Sequence, residues 1–371
     1  MVKIAITGGH IAPALAVIES LPRDVEVAFI GRKFTFEGDD SVSFEYQEIQ
    51  KRGIPFFHLQ SGRLQRSLTR HTIPSLLRLP NGARQARTLL KEISPDVVLS
   101  FGGYIGLPTV AAAATLGIPS VLHEQTTRAG FANRFTSRFA AKICISWETS
   151  REFFPEKKTV LTGNPLRKEI LSFKTNHTKS TLPRIYITGG SGGSHAINQL
   201  VKMHLKELLG IAIVVHQTGD AGGFNDYDEL VALRASLPAV LQKGYTVKKF
   251  LFSEEVAREM ALADLVIGRS GINTVSELIY FEKPALCIPL PTGQRGEQEQ
   301  NALLFSSLGL GRTLRQDTAD ELFFAQVQEM LRDLTQFQLN DVSMKERFAS
   351  AAGTIVTILS DVAHTPSNKK A

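Results

Sequence analysis

The chain has 371 residues, 43% of them apolar and 21% charged, with a formal net charge of +6. That composition belongs to a folded protein with room for two domains of ordinary size, and it excludes an extended disordered chain. No stretch approaches the roughly 18 consecutive apolar residues of a membrane span, and the first residues run straight into a strand pattern without a signal peptide, so a cytosolic protein is expected.

The opening segment Lys3-Ile4-Ala5-Ile6-Thr7-Gly8-Gly9-His10-Ile11-Ala12-Pro13 reads as a buried parallel strand, a glycine turn and a helix begun near Pro13. Further strands are expected at Glu26–Gly31, Asp96–Gly103, Pro119–Glu124 and Lys142–Ser146, with helical segments between most of them. Ser172 to Arg184 is polar and aperiodic and suits a linker. After it the pattern restarts, because Ile185 to Gly190 shares I-x-I-T-G-G with Ile4 to Gly9. Strands follow at Ile185–Thr188, Ile211–His216, Leu265–Gly268 and Ala285–Pro289. The expected fold is therefore α/β, two Rossmann-like doubly wound domains facing across a cleft, at 1–171 and 185–361, joined by the linker 172–184. Glu321 to Leu359 reads as one long helix, and 362–371 as a polar tail. Cys144 and Cys287 sit in apolar strands, which favours a reducing compartment and argues against a disulfide or a metal site.

Strand-turn-helix junctions are where chemistry is expected, because unpaired N–H groups and the positive end of a helix dipole converge there. The first junction offers His10 as a base on an attacking hydroxyl, kept neutral by the helix terminus; a capping or phosphate-binding histidine is the alternative. Thr188-Gly189-Gly190-Ser191-Gly192-Gly193 suits a phosphate by close backbone approach. It lacks the Lys-Ser/Thr of a P-loop, and the next strand ends in His216-Gln217 where a dinucleotide enzyme carries an acid. Ser270-Gly271 opens a segment whose Thr274, Ser276 and Glu277 resemble a helix's first turn, with Glu277 placed for a vicinal diol or simply for the helix dipole. Tyr104 and Glu124 also fall at strand ends, as site residues or as buried structural ones. Asp226-Tyr227-Asp228 is read as a loop and not as a metal site.

Charge is unevenly spread. From Gln50 to Lys91 there is no carboxylate but nine Lys and Arg, so the rest of the chain carries net −3. Within this stretch Arg63, Arg66, Arg70 and Arg78 alternate with Ile73, Leu76, Leu77 and Leu79, the mixture an anionic membrane surface selects. Nucleic acid is the competing partner, disfavoured because only Phe56 and Phe57 could stack on bases.

Taken together, T-G-G-H-I-A-P-A-L-A-V, G-I-P-S-V-L-H-E-Q, A-G-F-A-N-R, T-G-N-P-L-R, G-G-S-G-G-S-H-A-I-N, R-S-G-I-N-T-V-S-E and Q-E-Q-N-A resemble, in order and spacing, the bacterial peptidoglycan N-acetylglucosaminyltransferases. The resemblance implies a GT-B fold and inverting transfer of N-acetylglucosamine from UDP-GlcNAc to lipid I, the undecaprenyl-diphosphate-linked muramoyl pentapeptide, giving lipid II. It implies a peripheral enzyme on the cytoplasmic face of the inner membrane, with the first domain facing acceptor and membrane and the second binding the UDP-sugar. Carried over by position, Thr7, Gly8 and Gly9 form a loop near the diphosphate and His10 is the base. Arg167 and Ser191 hold the diphosphate, the backbone at Phe252 and Ser253 meets uracil, and Ile272, Asn273, Thr274, Val275, Ser276 and Glu277 cap the nucleotide, with Glu277 on the ribose. Gln298 reads the sugar, and Thr126 and Asn133 complete the substrate-binding set. Thr126 stands where the family usually has Asn, and Ala5 and Ile6 replace two glycines. No metal or other cofactor is implied. UDP-GlcNAc 2-epimerases, diacylglycerol glycosyltransferases and a non-catalytic UDP-sugar sensor share the expected architecture.

Overall fold

The computed structural model describes residues 1–34, 42–60, 79–173, 181–190, 192–291 and 296–365. Two parallel sheets organise it. The first runs β3-β2-β1-β4-β5-β6-β7, from β1 (Lys3–Thr7), β2 (Glu26–Gly31), β3 (Phe56–His58), β4 (Val97–Ser100), β5 (Ser120–Glu124), β6 (Lys142–Ile145) and β7 (Thr159–Leu161). The second runs β10-β9-β8-β11-β12-β13, from β8 (Arg184–Thr188), β9 (Ile213–Gln217), β10 (Tyr245–Lys248), β11 (Leu265–Gly268), β12 (Ala285–Cys287) and β13 (Gly311–Thr313). In each sheet the winding reverses beside its first strand, between β1 and β4 and between β8 and β11. Those are the points where loops part and ligands of such folds enter.

The central strands are buried along nearly their whole length, as parallel strands covered on both faces must be. Alternation sorts their side chains: Ile4 and Ile6 join one core and Ala5 the other. The first of these cores takes in Ala352, Ile355, Leu359 and Val362 from the helix Ser343–His364. The chain accordingly forms two compact units, Met1–Arg167 with Arg347–Ala371, and Lys168–Glu346.

This corrects the expected boundaries. The second unit ends at Glu346, not 361, because the apolar stripe of the last helix is buried on the first sheet. For the same reason 362 does not begin a tail: Val362 is buried and the helix continues to His364. The long helix expected from Glu321 to Leu359 is two helices, Ala319–Arg332 and Ser343–His364, parted where Asp333 leaves helical geometry and its carboxylate accepts the Thr335 N–H. The helix expected near Pro13 begins at Ile11. Asp226-Tyr227-Asp228 is the first turn of the helix Asp226–Ser236, not a loop. Most of the linker, 174–180, lies outside the described residues.

Candidate functional site

In the first unit the candidate residues meet where β1 and β4 part. The Phe101 N–H donates to the Thr7 carbonyl (2.8 Å), and the loop after β4 passes so close that a Cβ on Gly9 would sit 3.2 Å from the Gly103 Cα. Gly102 and Gly103 both hold φ near +75°, a region open to glycine. This brings Thr7, Gly8, Gly9 and His10 beside Gly102, whose missing Cβ makes room for the Asn133 amide.

Asn133 in turn belongs to a carboxylate-centred clamp. Glu124, at the end of β5 and 2% exposed, accepts at Oε1 from the Thr126 N–H (3.1 Å) and hydroxyl (2.6 Å), and at Oε2 from the Gly130 N–H (2.9 Å) and Asn133 Nδ2 (3.0 Å). Asn133 Nδ2 also donates to the His123 carbonyl. The Thr126 hydroxyl lies 2.7 Å from the Arg128 carbonyl as well, so it is turned into its own loop. Of the two readings left open for Glu124, the buried structural one describes its bonding. Tyr104 takes a hydrogen bond from Arg32 Nη1 (3.2 Å).

His10 precedes the helix Ile11–Ser20 but makes no side-chain cap. Its Nδ1 contacts the Gln125 amide, and Nε2 has no hydrogen-bond partner among the described residues. Burial pushes its pKa down to about 4, so the ring is neutral near pH 7. The depressed pKa was expected from the helix terminus; burial is its cause. His123, wholly buried behind it, is also held near 4 by burial.

In the second unit the glycine loop after β8 and the loop after β11 line a cavity of about 450 Å³ with Gly189, Gly193, Ser194, Arg269, Gln298 and Gln316 among its walls. Gly193 (φ 71°) and Gly219 (φ 67°) touch so closely that a Cβ on Gly219 would lie 2.3 Å from the Gly193 Cα. The helix His195–Ile211 begins at this wall. Ser194 caps its Ile197 N–H, and the His195 and Ala196 N–H groups have no partner among the described residues, the arrangement that receives an anion.

Arg269, half-buried, was absent from the expected set although it stands within the quoted R-S-G run. Its guanidinium donates to the Ile288 carbonyl (2.9 Å), Ser194 Oγ (2.7 Å) and Gln316 Oε1 (2.8 Å), which fixes a positive charge in the cavity wall. The signal that could have found it is an arginine directly after a buried strand at a winding reversal. Gln298 is positioned by the Leu290 N–H on its Oε1 (3.0 Å) and by Ser270 Oγ on its carbonyl (2.6 Å).

The helix Ile272–Phe281 starts two residues before Thr274, so Ser276 and Glu277 fall beyond its first turn. Ile272, Val275 and Ser276 are buried, and the Ser276 hydroxyl donates to the Ile272 carbonyl (2.8 Å). These three can offer a ligand only backbone, whereas Asn273 and Thr274 are half-buried. Glu277 is 6% exposed. Phe252 precedes the helix Ser253–Leu262; its N–H donates to Glu255 Oε2 (2.9 Å), and its carbonyl accepts the Val256 N–H and keeps a second lone pair. Asp226 Oδ1 accepts from His195 and Gln199, and Oδ2 from Asn198. Cys144 and Cys287 are buried free thiols pushed up to about 12 by burial. Arg167 closes the first segment of the first unit, and Ser191 lies outside the described residues.

The sequence profile of the glycosyltransferase family 28 N-terminal domain matches residues 7–145, and that of the C-terminal domain residues 184–355. A Lachnospira eligens protein named UDP-N-acetylglucosamine–N-acetylmuramyl-(pentapeptide) pyrophosphoryl-undecaprenol N-acetylglucosamine transferase is 33% identical over 353 residues, 92% of this chain and 94% of its own length. A Caldicellulosiruptor saccharolyticus protein of the same name is 36% identical over 314 residues, 82% of this chain and 80% of its own. Among solved structures, Acinetobacter baumannii MurG shares the fold with a TM-score of 0.74 at 24% identity, covering 97% of this chain and all of that one. With both halves matched in order and the expected two-sheet architecture in place, the chain belongs to glycosyltransferase family 28.

Proposed function

We propose that this protein transfers N-acetylglucosamine from UDP-GlcNAc to lipid I with inversion, forming lipid II. The observation that carries the reading is the naming of relatives that match more than four-fifths of the chain, joined to a neutral histidine at the winding reversal of the first sheet. The acceptor hydroxyl attacks the anomeric carbon from the face opposite UDP. Its proton passes to His10 Nε2 as the new glycosidic bond forms, and the anomeric C–O bond to UDP breaks with its electrons on the diphosphate. The helix start at His195 and the Arg269 charge suit the diphosphate, in the company of Ser191 and Arg167. Glu277 accepts from the ribose hydroxyls, and Gln298, held by Leu290 and Ser270, reads the sugar. Thr7, Gly8, Gly9, Asn133 and Thr126 shape the acceptor side.

The acceptor's lipid tail stays in the bilayer, so the protein works as a peripheral enzyme on the cytoplasmic face. No helix among the described residues is long and apolar enough to cross a membrane. The basic-apolar segment from Arg63 to Arg78 lies outside the described residues, and Leu79 opens the helix Leu79–Ile93 that follows it. A second surface of similar chemistry is described: Phe131, Phe135 and Phe139 are exposed, and Arg138 lies over the Phe135 ring at 4.6 Å. Aromatic faces flanked by guanidinium groups suit a phospholipid headgroup layer.

Product analysis with UDP-GlcNAc and a short-chain lipid I analogue tests the reading. A disaccharide-linked product with release of UDP is expected, and His10→Ala should lower turnover about a hundredfold or more while UDP binding holds. Free ManNAc and UDP, a glycolipid made from diacylglycerol, or binding without turnover would each replace it by one of the alternatives.

A further inference from the structure

The Gln125 side chain joins two histidines at the end of the first sheet. The residue is 3% exposed, and its backbone carbonyl accepts from Trp147 Nε1 (2.9 Å). One end of its amide meets His10 Nδ1; the other, Oε1, faces His123 closely enough to influence its charged form but makes no hydrogen bond to it. His123 has its own constraint: its Nε2 lies 3.3 Å from the Ser146 hydroxyl, which can donate or accept, and 3.2 Å from the Gly163 carbonyl, which can only accept and so requires a proton on Nε2. The His123 proton is therefore on Nε2, and its Nδ1 is a lone pair.

The two orientations of the Gln125 amide are not equivalent. With the amino group toward His10, Gln125 Oε1 and His123 Nδ1 are both buried acceptors without a donor, and His10 Nδ1 is forced to accept, which puts the His10 proton on Nε2. With the amide turned by 180°, the carbonyl oxygen accepts from His10 Nδ1–H and the amino group donates to His123 Nδ1. That orientation pairs both orphaned acceptors, and buried acceptors without donors are expensive to keep. It also changes what His10 can do: the lone pair moves to Nε2, the nitrogen with no partner among the described residues.

We propose that Gln125 is a positioning residue that relays the fixed tautomer of His123 to His10, from the Gly163 carbonyl through the two ends of one amide, so that neutral His10 keeps Nε2 free to receive a proton. Gln125 touches no reacting atom. It decides which of two equally neutral imidazoles is present, and only one of them is a base at Nε2. The inference rests on His10 being the base of the transfer.

Nitrogen-15 NMR of the full-length protein with labelled histidine at pH 7.5, assigned with His10→Gln, reads the tautomer without any activity. The expected spectrum has His10 Nδ1 protonated and Nε2 bare; the reverse pattern overturns the proposal, whether or not a disaccharide product is found. If the protein makes no disaccharide, the transferase reading fails separately. Kinetics give the second arm. Gln125→Leu, which removes both ends of the relay, should lower kcat at least tenfold with KM for UDP-GlcNAc within twofold of wild type. Gln125→Glu keeps an acceptor on His10 Nδ1–H, so it should recover part of that loss and move the acid limb of the pH–rate profile upward, because a carboxylate favours the imidazolium. A wild-type kcat in Gln125→Leu, or a Gln125→Glu no better than Gln125→Leu, would also overturn it.

Discussion

Replacing Glu124 by Gln exchanges one buried oxygen for an amino group, and the clamp around it makes this near-isosteric change a severe one. Two donors converge on Oε1 and two on Oε2. A glutamine has a single carbonyl oxygen, so one pair keeps an acceptor and the other faces N–H. Placing the amino group at Oε1 is the milder choice, because the Thr126 hydroxyl can turn fully to the Arg128 carbonyl at 2.7 Å, leaving only the Thr126 N–H unpaired. Each hydrogen bond to a charged group contributes about 1.5–3 kcal/mol, and a buried donor left unpaired costs about 1–3 kcal/mol. Allowing for loop relaxation, a loss of about 2–4 kcal/mol follows, a fall in Tm of about 5–15 °C for a unit of this size. Calorimetry on Glu124→Gln beside wild type measures it, and turnover should fall with it because Gln125 and Thr126 lie in the loosened loop. A Tm within about 2 °C of wild type would show that the four contacts do not act together and would refute the reasoning.

Glu277→Ala should weaken UDP binding by about tenfold to more than a hundredfold, the loss of charge-assisted bonds worth about 1.5–3 kcal/mol; calorimetric titration giving an unchanged Kd would remove Glu277 from the ribose. Acid should unfold the protein early. His123 and His216 are held near 4 and 3 by burial, against 6.5 when exposed. Below pH 6.5 the unfolded chain therefore takes up protons first, and stability that is complete above 6.5 declines as pH falls toward those values. Each ring costs about 2 kcal/mol at pH 5, and equal urea midpoints at pH 7.5 and 5 would contradict this. Replacing Arg63, Arg66, Arg70 and Arg78 with Gln should abolish salt-sensitive co-sedimentation with anionic vesicles, each charge contributing about 1 kcal/mol; retention at the wild-type level would move the membrane contact to the Phe131–Phe139 surface.

The strands that sequence patterning found and those it missed divide on one physical property. Patterning found the central strands because parallel strands buried on both faces leave continuous apolar runs such as Ile4-Ala5-Ile6 and Leu265-Val266-Ile267. It missed β3, β7, β10 and β13, which are the four outermost strands of the two sheets. Each has only three or four residues and is partly exposed, so no such run marks it. The turn residues of both candidate sites could be read from glycine and strand-end position. Arg269 and Gln125 also stand directly after strands, but position does not give their roles, which come from partners in distant segments: Ser194, Ile288 and Gln316 for one, His10 for the other. The helix ending at His364 was legible as a helix, but its apolar stripe carries no sign of which sheet it covers.

That returning helix sets the order in which the protein can be made. The first unit's core lacks Ala352, Ile355, Leu359 and Val362 until the helix Ser343–His364 has been synthesised. Burying Ile355 and Leu359 contributes about 1.5–3 kcal/mol each, a sizeable part of a typical domain's stability of about 5–15 kcal/mol. During translation, then, the segment Met1–Arg167 waits with one apolar face bare while Lys168–Glu346, continuous in sequence, can close its own core first. Of the two units, the one that begins second in sequence is the first whose core can be completed, and apolar surface stays bare longest on the first sheet.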